Sequence, residues 1–192
     1  MAALAIVTGD AAVLRERARE VAPAELASPD VQQLIDDMIA TMRAASGAGL
    51  AANQVGETLR IAVIEVRAGN RRYPYKPPIA LTVIVNPVLE VLDDERFEIN
   101  EGCLSLPGVR GVVPRAVNVR VRYVDRDGAP HEEIRRGLTA GTFQHEIDHL
   151  DGVLLTDRVE DPAALMTWDE FERDHRAAFE ARARALVARV GS

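Results

Sequence analysis

Val31, Leu34, Ile35, Met38, Ile39 and Met42 recur every three to four positions, which predicts an amphipathic helix opened by Ser28 and Pro29 and ending before Gly47. Gly47 itself reads as the helix C-cap, followed by a turn. Residues 59–66 and 81–91 are β-branched, apolar runs that predict strands, the second interrupted by Asn86-Pro87. Val117, Val119, Val121 and Tyr123 alternate with polar residues, and Asp127-Gly128 then predicts a hairpin turn. A second helix carries Phe143, Ile147 and Leu150 as a buried stripe and closes at Gly152. Thr167 and Glu170 form a Thr-x-x-Glu capping box at the start of a C-terminal helix over about 167–190, with Phe171, Phe179 and Leu186 turned inward. The pattern predicts an α+β fold with the second helix buried against the strands. Residues 67–78, rich in proline and arginine, read as an exposed loop.

Composition narrows the partners. The chain has 192 residues and no linker-like break, which predicts a single domain over 1–192. A formal net charge of −7 argues against direct DNA binding or general nucleic-acid binding by the whole molecule. The apolar run at 2–7 is short and lacks a basic start, and no stretch of eighteen apolar residues occurs, so a cytoplasmic protein with no membrane span is expected. The C-terminal segment departs from the acidic average, with Arg173, Arg176, Arg182, Arg184 and Arg189 against Asp174 and Glu180. A solvated amphipathic helix accounts for this pattern, and docking on the ribosome is the sharper alternative.

The candidate chemistry lies in His145-Glu146-Ile147-Asp148-His149. Histidines four apart stack on one helix face about 6 Å apart along the axis, so both imidazoles reach a single divalent ion. Glu146, beside the first histidine, is placed to take a proton from water without being a ligand. A catalytic site of this kind needs a third protein ligand. The pattern His-x-x-Gly-x-x-His fails at Leu155. Glu170 stands near the distance at which a thermolysin-type metallopeptidase places its third ligand, although its capping box is a simpler role. Cys103, the only cysteine, cannot form an intramolecular disulfide. It sits in a polar, glycine-containing turn before Pro107 and Gly108, a poor setting for an inert core thiol, and as thiolate it is a soft, strongly donating ligand.

Three segments in order, Gly47-Ala48-Gly49-Leu50-Ala51-Ala52-Asn53-Gln54, Glu101-Gly102-Cys103-Leu104-Ser105 and Gln144-His145-Glu146-Ile147-Asp148-His149, resemble the peptide deformylase family. The similarity covers roughly residues 6 to 160, with Asn53 at a variable position where threonine or proline is expected. The resemblance implies mixed, largely antiparallel sheets packed around a central helix carrying His-Glu-x-x-His, with a C-terminal helix. It implies removal of the formyl group from the N-terminal formylmethionine of newly made polypeptides, releasing formate. It assigns Cys103, His145 and His149 to one divalent metal ion, Fe2+ foremost, with Zn2+, Ni2+ or Co2+ able to occupy the same donors. Glu146 becomes the proton carrier, and the Gln54 amide and the Leu104 backbone N–H the donors to the reacting oxygen. Gly47 and Gly49 would let a substrate backbone approach closely, and Gly102, Leu138, Gly141 and Thr142 would wall a slot for the methionine side chain. Arg110 and Arg115 are candidates to steer peptide carbonyls or to pair with acids, and pairing with Glu101 is expected for Arg115.

Overall fold

The computed structural model describes residues 3–70 and 72–192; Ala2 of the N-terminal apolar run and Arg71 of the 67–78 loop lie outside the described residues. Strands β1 (Gly49–Ala51), β2 (Ile61–Val66), β3 (Ile79–Val91), β4 (Arg96–Cys103), β5 (Leu106–Ala116), β6 (Asn118–Val124), β7 (Pro130–Arg136) and β8 (Leu165–Thr167) form two sheets. One has the order β1-β2-β3-β6-β7 and the other β4-β5-β8, with antiparallel neighbours throughout. The helices are α1 (Pro23–Leu26), α2 (Pro29–Ala44), α3 (Gly137–Leu150), α4 (Leu155–Arg158), α5 (Trp168–Glu170) and α6 (Arg176–Val190). This is the α+β architecture expected.

Burial on both faces explains why β2 reads as a continuous apolar run. Ile61 and Val63 pack with Ile35, Met38 and Met42 of α2, whereas Ala62 and Ile64 face the other way and pack with Phe143, Ile147 and Leu150 of α3. Ser28 caps α2 by accepting the Val31 N–H, with Pro29 in the first turn. Asn86-Pro87 interrupts β3, as expected, without ending it. The strand continues through a register shift between Val85 and Val88, because proline cannot donate to the ladder. Asn86 takes a φ of 51° and exchanges two 2.9 Å hydrogen bonds with the Val21 backbone, which stabilises the bulge.

Three expectations need correction. The left-handed residue after α2 is Ser46, at φ 53°, and not Gly47. Cys103 is not in a turn; it is the last residue of β4, and the turn follows it. The 67–78 segment is not simply exposed, because Tyr73 and Tyr75 are buried in the main core.

The C-terminal helix is present as expected. Thr167 and Glu170 make the reciprocal capping box, and α5 passes through one wide turn at Phe171–His175 into α6. Phe171, Phe179 and Leu186 are buried against the core around α3. Each of the five arginines faces a carboxylate: Arg173 pairs with Asp174, Arg176 with Glu172 and Glu180, Arg182 with Glu98, Arg184 with Glu180 and Arg189 with Glu95. Among the described residues no helix is long and apolar enough to cross a membrane.

Candidate active site

Helix α3 lies between the two sheets, and all its residues except Gln144 and His145 are buried. A helix buried all round must find partners for its polar side chains. Gln144 bonds both the N–H and the C=O of Ala116, at 3.0 and 2.9 Å. Asp148 accepts from Arg115 and Arg158. Among the described residues, three polar atoms of the helix remain buried without a partner: Thr139 Oγ1, Glu146 Oε2 and His149 Nδ1. Two of these belong to the His-Glu-x-x-His run.

The His145 and His149 rings lie 4.9 Å apart, close to perpendicular. Cys103 enters from the end of β4 with its Sγ 3.2 Å from His149 Nε2, and the donor atoms of Cys103, His145 and His149 all lie within 4.8 Å of one another. Sulfur and two imidazole nitrogens converging from different elements match the three-ligand set of a catalytic site with an open position. The unpaired Glu146 carboxylate oxygen supports the fit of a divalent cation and water in this space.

Electrostatics favours the same reading. Burial pushes the Cys103 thiol up, but His149's charge and hydrogen bonds from both imidazoles outweigh it and bring the thiol well below its ordinary value. Burial favours the neutral His145 ring, but hydrogen bonds with Cys103 and Glu101 raise it well above the usual histidine range. Glu146 is raised, chiefly by burial, with the two histidines acting against the shift. Glu101 is also buried, yet Arg115 and His145 hold it well below the usual carboxylate range.

His145 donates from Nδ1 to Glu101 Oε2 at 2.8 Å, which leaves Nε2 to face Cys103. Arg115 grips Glu101 with two bonds of 2.7 and 2.9 Å, the pairing expected from sequence, and also reaches Asp148. Arg110 behaves differently. Fully buried, it donates to the side chain and backbone of Asn100 and lies 4.0 Å from the centre of the Phe171 ring. It therefore braces β4 through Asn100, and among the described residues it pairs with no acid.

A cavity of about 40 Å³ opens beside the cluster, and Gly47, Gly49, Gln54, Gly102, Leu104, Leu138, Gly141, Thr142, His145 and Glu146 line it. The candidate substrate residues thus share one space. Gln54 is fixed at both ends of its amide: Oε1 accepts the Ala51 N–H at 2.9 Å, and Nε2 donates to Ser105 Oγ at 3.0 Å and lies 3.5 Å from Cys103 Sγ. Gly47 permits close approach to Leu104, whose Cδ1 would stand 2.9 Å from a Cβ. A Cβ on Gly49 would overlap the Glu146 carboxylate. Asn53, unusual in the sequence, is fully buried and donates to the His149 carbonyl at the end of α3.

Sequence reasoning missed Tyr73, Tyr75 and Lys76, which also line the cavity. The signal was present: two of the chain's three tyrosines fall within three residues of a segment read as solvated. Glu170, the alternative third ligand, is spent on its cap with Thr167 and is not part of the donor cluster.

Fold and donor geometry together define a hydrolase built round a single candidate metal position. A profile of the polypeptide deformylase family matches residues 3–164, and the chain belongs to the peptide deformylase family. It is 44% identical over 142 residues to peptide deformylase 2 of Nostoc sp., covering 74% of this chain and 79% of that one. The crystal structure of a class I type b peptide deformylase from Acinetobacter baumannii with Met-Ala-Ser bound superposes with a TM-score of 0.76 and 38% identity, covering 82% and 98% of the two chains. A peptide deformylase structure from Legionella pneumophila gives a TM-score of 0.72 at 34% identity, covering 98% and 95%.

Proposed function

We propose that this chain is a metal-dependent deformylase that hydrolyses the N-formyl group from the N-terminal formylmethionine of newly made polypeptides and releases formate. The observation that carries this reading is the convergence of Cys103, His145 and His149 beside a buried, unpaired Glu146 carboxylate in one cavity. When bound, a divalent cation supplies Lewis acidity and lowers the pKa of water toward neutrality. The negative charge of the Cys103 thiolate favours Fe2+, and Zn2+, Ni2+ or Co2+ suit the same donors.

Glu146 takes the proton of the attacking water and returns it to the leaving amine, a shuttle helped by burial that raises its affinity for a proton. Gln54 Nε2 and the Leu104 N–H donate to the formyl oxygen as charge builds on it. The bonds that fix Gln54 to Ala51 and Ser105 hold its amide in place before substrate arrives, so little reorganisation remains for the reaction. Gly102, Leu138, Gly141 and Thr142 receive the methionine side chain, and Gly47 and Gly49 admit the peptide backbone at the edge of β1. A cytoplasmic location belongs to the same reading, supported by the family match.

Ribosome docking through α6 is a finer part of the proposal. The carboxylates opposite its arginines reduce the positive field that a phosphate backbone would meet. Unchanged co-sedimentation with ribosomes after deletion of residues 173–192 would remove it. The central reading is tested by formate release from a formylated Met-Ala-Ser peptide with anaerobically prepared, metal-loaded protein. Release at a rate abolished by Glu146→Ala is expected, and no release from loaded protein would overturn the reading.

A further inference from the structure

Lys76 places an amine inside the cavity next to the wall assigned to the substrate side chain. Its Nζ donates to Thr142 Oγ1 at 2.9 Å and stands 5.1 Å from the centre of the Tyr73 ring. Thr142 Oγ1 in turn donates to the Leu138 carbonyl at 3.1 Å, so the hydroxyl can only accept from the lysine. An ammonium has three N–H donors, and among the described residues Thr142 is the one side chain that hydrogen-bonds it. Burial pushes Lys76 down to about 8, with Glu101 and Glu146 opposing, so the amine keeps its proton at neutral pH.

The segment is held so that the amine stays there. Tyr73 and Tyr75 are buried and meet edge to face, and Tyr75 packs on Phe179 of α6 with ring centres 5.0 Å apart. The Lys76 N–H bonds back to the Tyr73 carbonyl at 3.0 Å in a tight turn. The cavity of about 40 Å³ holds at most a few water molecules. An incoming side chain therefore enters a small space that the lysine borders.

We propose that Lys76 is a specificity-determining residue that ends the side-chain slot with N–H donors, so that the slot prefers a first residue carrying a hydrogen-bond acceptor at its tip, methionine sulfoxide above all, over a hydrocarbon of equal length. The inference rests on the assignment of this cavity to the first side chain. A thioether sulfur accepts weakly, whereas the sulfoxide group is polar and carries an acceptor oxygen. A hydrocarbon in the same place covers the half-buried lysine donors without pairing them, and sites with committed donors discriminate strongly against ligands that lack the matching group.

The test measures dissociation constants by calorimetry for three unformylated peptides, Met-Ala-Ser, methionine sulfoxide-Ala-Ser and norleucine-Ala-Ser, with metal-loaded wild type and Lys76→Met. Values of kcat/KM for their formylated forms run alongside. Wild type should bind the sulfoxide peptide at least ten-fold more tightly than the norleucine peptide, and Lys76→Met should bring that ratio to about one or reverse it. A lysine that merely anchors its segment would weaken all three peptides by one common factor on substitution, and that result overturns the proposal. Wild type showing no preference for the sulfoxide overturns it as well, whatever the stability of the variant. Selective binding without formate release would leave this inference standing and count against the deformylase reading; release without selectivity would do the reverse.

Discussion

Glu101 accepts the His145 Nδ1–H at 2.8 Å while the Arg115 guanidinium closes on the same carboxylate from the other side. The carboxylate thereby orients the ring and presents Nε2 to the space shared with Cys103 and His149. Partners of this kind typically account for ten- to a hundred-fold in metal affinity. Glu101→Gln should therefore weaken the divalent cation by about 10- to 100-fold, measured by competition with a chromogenic chelator. Unaltered affinity in a folded variant would show that the carboxylate serves Arg115 alone.

Gly49 carries a second, purely steric prediction. A methyl group there would overlap the Glu146 carboxylate, so that side chain would have to shift from its place on the cavity wall. Gly49→Ala should displace the proton carrier and leave Cys103, His145 and His149 in place. General acid–base groups contribute about 10²- to 10⁴-fold, so turnover should fall by at least about 100-fold with one metal ion per chain retained. Turnover near that of wild type would contradict the assignment of Glu146.

These two residues show what could be read from the chain and what could not. Gly49 belongs to a local motif, and the spacing of His145, Glu146 and His149 defines a helix face without any knowledge of the fold. The helices were legible because Ser28 and Thr167 are local caps, and the alternation in β6 survives because it faces one core. Strands β4, β5 and β8 carry no such periodicity. They include Pro107, Gly108 and Pro114, and their buried polar residues Asn100, Glu101, Arg110 and Arg115 are explained only by partners ten or more positions away. The 67–78 segment misled for a related reason: proline and arginine signal solvent locally, but Tyr75 packs on Phe179 of α6, a hundred residues further on, and Tyr73 packs on Tyr75.

Gln54 has its Oε1 and Nε2 held by separate partners, so its loss should be felt in the reaction more than in binding. Removal of one donor to a developing oxyanion costs about 10²- to 10³-fold in turnover in comparable hydrolases. Gln54→Ala should slow kcat by that amount with little change in KM. A rise in KM at unchanged kcat would mean that the amide contributes ordinary binding and not stabilisation of the reacting oxygen.

The choice of third ligand is open to a direct comparison. Cys103 Sγ lies 3.2 Å from His149 Nε2, whereas Glu170 is occupied by the Thr167 backbone and hydroxyl. Cys103→Ser should lose tightly held metal, because a hydroxyl replaces a strongly donating thiolate. Glu170→Gln should keep a full complement. Elemental analysis of both variants after dialysis against chelator separates the two ligand sets, and metal loss confined to the Glu170 variant would reverse the assignment.

Phe179 links the C-terminal helix to the cavity. Its ring meets Phe171 at 6.1 Å and Tyr75 at 5.0 Å, and Tyr75 in turn lines the cavity. Truncation of a buried phenylalanine costs about 3–5 kcal/mol, so Phe179→Ala should lower the urea midpoint at unchanged slope. Because Tyr75, on the cavity wall, loses its support at the same time, the proposed function predicts that the affinity for Met-Ala-Ser should drop in protein that is still folded. If stability falls while peptide affinity holds, α6 is a structural brace with no hand in shaping the site, since the tyrosine would then keep its place without the ring beneath it.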